Sequence, residues 1–137
     1  MKTKKYPAWL KVKRSRAGLG LFTSKDIKKG DLIIEYTGEK ITTAEADERG
    51  GQYLFTLNKK FVIDGKGREN LARYINHSCR SNAEPEIDED TWKINILAKR
   101  AIKAGEELNY DYGKEFWNEY IKPKGCLCEK CLEKKGR

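Results

Sequence analysis

A chain of 137 residues fits one domain with a single core and is too short for two full-sized ones. With 36% charged residues and no apolar run near the roughly 20 residues that cross a bilayer, it reads as a soluble protein with an ionic surface and no membrane partner. The net charge of +8 leaves nucleic acid open as a partner, although no RNP, homeodomain or zinc-finger pattern is present.

Residues 1–16 carry seven Lys/Arg and no acid, so residues 1–12 read as a basic N-terminal extension. Met1 to Leu10 has charge but no apolar h-region, which argues against a secretory signal and predicts an intracellular protein. Gly18-Leu19-Gly20 reads as a tight turn whose glycines let backbone approach a ligand, without the third glycine of a dinucleotide fingerprint. Leu32 to Tyr36, Tyr53 to Leu57 and Phe61 to Ile63 are dense in β-formers and predict strands. Between them, Thr42-Thr-Ala-Glu45 fits a capping box opening a helix that Gly50-Gly51 stops. Arg68 to Ile75 predicts another turn or two of helix.

Glu84 to Asp90 holds five acids in seven positions, suited to a basic peptide or simply to solvent. Trp92 to Ile96 alternates apolar with polar and predicts a strand with one buried face. Glu107 to Tyr112 alternates too, which puts Leu108, Tyr110 and Tyr112 on one face if that stretch is extended. Lys114 to Ile121 predicts an aromatic-rich helix before Pro123. Ile27-Lys-Lys-Gly30 and Ile102-Lys-Ala-Gly105, each followed by an acid, echo one another as two similar corners of one sheet system. The expectation is an irregular, mainly β domain.

The only histidine, His77, stands between Asn76 and Ser78, two residues before the isolated Cys79. A Cys–His nucleophilic pair is conceivable there, but residues two apart seldom aim at each other. Cys126, Cys128 and Cys131 crowd three thiols into six residues, which suits a tetrahedral metal lacking one ligand better than disulfides.

Together these segments resemble, in order, the signature of the SET-domain lysine methyltransferases. Gly18-Leu19-Gly20 is similar to the family's G-x-G, Glu35 to Glu39 to its E-Y-x-G-E, and Tyr53-Leu-Phe55 to its Y-x-F. Arg73 to Asn82 resembles R-F-x-N-H-x-C-x-P-N, with Ser81 in place of the proline, and Glu107 to Tyr112 resembles E-L-x-F/Y-D-Y. The terminal C-x-C-x2-C resembles a post-SET zinc segment with a shortened spacing, and no cysteine-rich pre-SET segment precedes the domain.

The resemblance implies a SET domain over 13–113, a zinc-binding tail over 114–137, and several short sheets of β-clip type. In such a fold Asn76-His77 and Glu107 to Tyr112 cross in a knot-like core. It implies S-adenosyl-L-methionine held by Gly18, Leu19, Gly20, Tyr53, Arg73, Asn76, His77 and Tyr112, with Phe116 or Trp117 as an aromatic wall. Tyr112, Tyr53 and Tyr110 would act on the target amine, Tyr110 restricting the product to mono- or dimethyl-lysine. Zn2+ would sit on Cys79, Cys126, Cys128 and Cys131. Partners would be lysine-containing proteins or peptides, histones being the family's usual targets and placing the protein in cytoplasm or chromatin. The rival readings are a non-catalytic SET-fold binding module and a basic zinc module that binds nucleic acid.

Overall fold

The computed structural model describes residues 6–15 and 18–113, and the chain folds there as small sheets around one main core. The first two strands, β1 (Leu10–Ser15) and β2 (Gly18–Thr23), form an antiparallel hairpin pairing Leu10 with Thr23 and Ser15 with Gly18. The glycine segment therefore opens a strand rather than forming an isolated turn. Nor do residues 1–12 all stand apart as an extension: Leu10 is buried, and the Tyr6 hydroxyl bonds the Glu69 carbonyl at 2.5 Å.

β3 (Leu32–Tyr36) lies antiparallel to β9 (Lys93–Ala98), which in turn pairs with β8 (Ala83–Asp88) at the sheet edge. β8 was hidden by its charge. Ala83 is buried and Ile87 half-buried, while Glu84 and Glu86 between them face solvent, so the strand alternates after all. Pro85 is tolerated because only an edge strand can spare the N–H that proline lacks. Trp92 does not begin β9 as the alternation predicts; at φ 57 it closes the β8–β9 turn, donating its N–H to the Asp88 carbonyl at 2.6 Å.

A second sheet orders β4 (Glu39–Thr42), β6 (Phe61–Asp64) and β5 (Leu54–Thr56), the last shorter at both ends than predicted. Helix α1 (Thr43–Arg49) follows β4 as the capping box requires: the Thr42 hydroxyl accepts the Glu45 N–H at 3.2 Å, and Gly50 ends it at φ 62. Ala46 seats this helix on Ile41 and Val62. Arg68 to Ile75 yields only one 3-10 turn, Leu71–Tyr74.

The main core gathers Leu21, Ile34, Tyr36, Ile75, Ile94, Ile96, Ile102 and Leu108 from all parts of the chain. Each such buried aliphatic contributes about 1.5–3 kcal/mol over an exposed one. The two echoing corners meet there, since Ile27 and Ile102 exchange both main-chain hydrogen bonds, at 2.7 and 2.9 Å. Last, β7 (Asn76–His77) pairs in parallel with β10 (Asn109–Tyr110), joining Asn76 to Asn109 and His77 to Tyr110.

Candidate active site

Asn76 is the hub of the site. Its Nδ2 donates to Glu107 Oε2 at 2.8 Å, the Leu19 carbonyl at 3.0 Å and Ser15 Oγ at 3.2 Å. Two amide hydrogens serve three oxygens, so one bond is shared. One side chain thus ties β7 to the β1–β2 turn and to the start of the last segment. Gly20 makes this possible, because a Cβ there would stand 2.3 Å from Glu107 Oε2. Gly18 differs: at φ 104 it needs no side chain, and the space beside it is open. Leu19, half exposed, points away.

His77 sits behind this hub. Its Nδ1 accepts the Tyr112 N–H at 3.1 Å, so the ring proton resides on Nε2, which lies 3.5 Å from Cys79 Sγ. The ring and thiol two residues apart do meet, because the chain bends after His77. Burial lowers the imidazole pKa and outweighs the opposing pull of Asp111. A neutral ring at pH 7 follows, so the 3.9 Å approach of Asp111 Oδ1 is no ion pair.

Tyrosines build the rest. Tyr112 donates its hydroxyl to the Ile75 carbonyl, and its ring lies 4.8 Å from that of Tyr110 and 5.5 Å edge-on from His77. Leu108 and Tyr110 are buried and Tyr112 packs half-buried against the same core, although only Asn109–Tyr110 pairs as strand. The Tyr36 hydroxyl donates to the Tyr53 carbonyl at 2.8 Å. Burial pushes the phenols of Tyr36, Tyr110 and Tyr112 well above their ordinary range, and neighbouring tyrosines push Tyr36 and Tyr112 further. These groups stay protonated at neutral pH. As protonated phenols they can donate hydrogen bonds but are poor proton acceptors.

The Arg73 guanidinium stacks 4.5 Å over the Tyr53 ring, and its Nη1 donates to the Lys66 carbonyl at 2.5 Å. Its Nε is buried without a hydrogen-bond partner, one of two such side-chain atoms among the described residues.

Among the residues named from sequence, the structure joins Asn76 to Leu19 and, through Glu107, to Gly20, sets His77 on Tyr112 and beside Cys79, and packs Tyr110 on Tyr112, while Arg73 stacks on Tyr53 as a separate pair. Phe116, Trp117, Cys126, Cys128 and Cys131, with the predicted helix from Lys114, lie outside the described residues. Among the described residues no cluster of three or more His, Cys, Asp or Glu could hold a metal. Sequence reasoning missed three supports. Glu107 was read only as part of a motif. Tyr36 enters the sequence reading only as a strand and motif residue. Asn82, fully buried, exchanges two 2.9 Å bonds with Asn109 and donates to the Glu107 carbonyl at 2.8 Å. The available signal for the last is its place at the end of the Arg73 to Asn82 motif.

Comparison with known proteins agrees with this geometry. The chain is 43% identical over 126 residues to histone-lysine N-methyltransferase trr of Drosophila melanogaster, covering 83% of this chain and 5% of that protein. It is 42% identical over 121 residues to the H3 lysine-4 specific histone-lysine N-methyltransferase of Schizosaccharomyces pombe, covering 80% and 13%. The chain therefore spans a small part of each relative's length. A solved structure of apo ctPRC2 with mutated Ezh2 superposes with a TM-score of 0.70 at 39% identity, over 76% of this chain and 15% of that one. The family model described as the SET domain matches residues 18–113, from the first glycine of β2 to the end of the tyrosine segment, and the chain belongs to the SET-domain family.

Proposed function

We propose that this chain is an S-adenosyl-L-methionine-dependent protein lysine N-methyltransferase acting on basic protein segments, with histone tails the first candidates. The observation that supports the reading is the seating of Asn76-His77 against Asn109-Tyr110, with the Asn76 amide on the Leu19 carbonyl of the β1–β2 hairpin and His77 Nδ1 on the Tyr112 N–H. Two curated relatives are histone-lysine N-methyltransferases by name, one of them specific for H3 lysine 4, which supports a histone substrate and a chromatin location.

The described residues fit the donor molecule. Open space at Gly18 allows close main-chain approach, and the Asn76 amide fixes the neighbouring Leu19 carbonyl. When bound, the cofactor supplies an electrophilic methyl on a sulfonium. The protein's share is to deliver an uncharged amine. A free lysine with pKa near ~10.4 is neutral in about one molecule in 2,500 at pH 7, a cost of about 4.6 kcal/mol. Enclosure among buried, un-ionised tyrosines disfavours the ammonium form and reduces that cost. Tyr112 aligns the amine, Tyr53 lines its approach, and the Tyr110 hydroxyl takes up room that further methyls would need, which favours mono- and dimethyl-lysine.

Cys79 would join Cys126, Cys128 and Cys131 around a zinc ion. The Cys79 thiol lies beside the Nε2–H of His77, whose N–H would favour a thiolate. The zinc would tie the tail to β7 and couple metal loading to tail order.

Incubation of the full chain with labelled cofactor and a panel of histones and lysine peptides tests the reading, with mass spectrometry of the product. Transfer to lysine with one or two methyls is the expected result. Cofactor binding without transfer to any substrate would favour the binding-module reading, and dominant trimethylation would remove Tyr110 from its role. Elemental analysis should find about one zinc per chain.

A further inference from the structure

The two echoing corners have a charge arrangement that methyl transfer does not explain. In each, the glycine is left-handed, Gly30 at φ 88 and Gly105 at φ 93, and the acid that follows folds back into the turn. Asp31 Oδ2 accepts the Lys28 N–H at 3.3 Å, and Glu106 Oε2 accepts the Lys103 N–H at 2.6 Å. Asp26 is likewise occupied, by the Ala104 N–H at 2.9 Å. The acids thus serve the backbone, while the side chains of Lys25, Lys28, Lys29, Lys99, Arg100 and Lys103 face solvent. Among the described residues, only Arg100 of these is paired with an acid, Glu106 at 3.2 Å.

Because Ile27 and Ile102 lock the corners together, the cations form one rigid pole, extended along β1 by exposed Lys11, Lys13 and Arg14. The acidic Asp88 to Asp90 turn closes the far end of β9, so the molecule is electrically polar along that sheet. From the corners, the six residues of β2 lead back to Gly18, roughly 17 Å away, and the β1 cations run beside them as far as Arg14, opposite Leu19.

We propose that this pole docks on the phosphate backbone of duplex DNA without reading its sequence. Spread cations of one sign, with their acids turned inward, match a regular phosphate lattice. A duplex is favoured over a single strand because the nearby aromatic faces are already covered: Lys25 Nζ lies 4.3 Å over Trp9 and Lys13 Nζ lies 5.5 Å over Phe22, so neither ring is free to stack a base. A DNA-held chain would leave its acidic end and tyrosine site open to basic tails nearby.

The test reads binding only, so it is independent of the methyltransferase proposal. Anisotropy of a labelled duplex of about 20 bp is titrated with the full chain at about 50 and 200 mM salt. Lys28→Glu/Lys29→Glu removes two pole cations. Lys59→Glu/Lys60→Glu, exposed on the β5–β6 turn, changes net charge equally and serves as control. At ~0.15 M salt, losing two phosphate contacts should weaken binding about 30-fold and lower the salt slope by about 2. Lys99→Glu, on the other corner, should cost about fivefold by the same relation and guards against misfolding of the double variant. The control should stay within about threefold, less than the loss of one such contact. Equal losses from pole and control, no loss from either, no binding by the parent chain, tighter binding to single strands, or equal competition by polyglutamate would each overturn the proposal.

Discussion

Replacing Gly20 by alanine tests the hub most sharply. The added Cβ would stand 2.3 Å from Glu107 Oε2 and 3.0 Å from both Glu107 Cδ and Ser15 Cβ, so the carboxylate has to retreat by about an ångström to reach ordinary contact. That movement takes Oε2 from 2.8 Å to beyond hydrogen-bond range of Asn76 Nδ2. A hydrogen bond to a charged acceptor contributes about 1.5–3 kcal/mol, so Gly20→Ala should destabilise by about 2 kcal/mol. For a chain of this size that lowers Tm by roughly 6–10 °C. Because Asn76 also holds the Leu19 carbonyl, cofactor affinity should fall in parallel. Thermal and denaturant unfolding of Gly20→Ala, Glu107→Ala and the double variant form the assay. Both substitutions break the same bond, so the double variant should match Glu107→Ala closely. Additive losses, or a Gly20→Ala chain as stable as the parent, would refute the reasoning.

Tyr112→Phe removes only the hydroxyl on the Ile75 carbonyl; turnover should fall at least 100-fold while calorimetric cofactor binding persists. Asn82→Ala strips the bonds to the Asn109 N–H and the Glu107 carbonyl, and two unsatisfied buried groups should cost about 2–4 kcal/mol in urea unfolding. Asn82→Asp, which keeps the acceptor but not the donor, should fall between. Asp88 has its carboxyl held below the usual range by the N–H of Asp90 and then of Thr91. Since the folded value is depressed, its stabilisation is complete above the unfolded value near ~3.9 and fades as pH falls through the folded one. Tm followed from pH 6 to pH 2 should therefore drop more steeply for the parent than for Asp88→Asn, and parallel curves would contradict this.

Much of this site was legible in the sequence because short motifs of unusual residue types specify both chemistry and order. Asn76, His77 and Tyr112 could be named before any contact was known, and the Thr42 cap worked as its spacing demands. What escaped has two causes: roles set by neighbours distant in sequence, and local turn geometry or charge that hides a strand's ends. Nothing local in Glu107 announces Gly20, and nothing local in Trp92 announces that β9 begins one residue later. Charge masked β8, since five acids read as loop until the buried Ala83 and half-buried Ile87 reveal its inner face. Lysine counts in residues 1–12 likewise say nothing of Tyr6 and Leu10 reaching the core.

The parallel seating of residues 76–77 against 109–110 also bears on how the protein is made. Parallel strands cannot be joined by a tight turn, so this ladder closes a long loop whose entropy is lost before its few bonds are gained. Such a contact forms late, after β8 and β9 have organised the intervening chain. A nascent polypeptide halted before Asn109 would have its glycine hairpin and Asn76 yet no assembled pocket. The Asn76–Glu107 and His77–Tyr112 contacts should then appear together with completion of the fold.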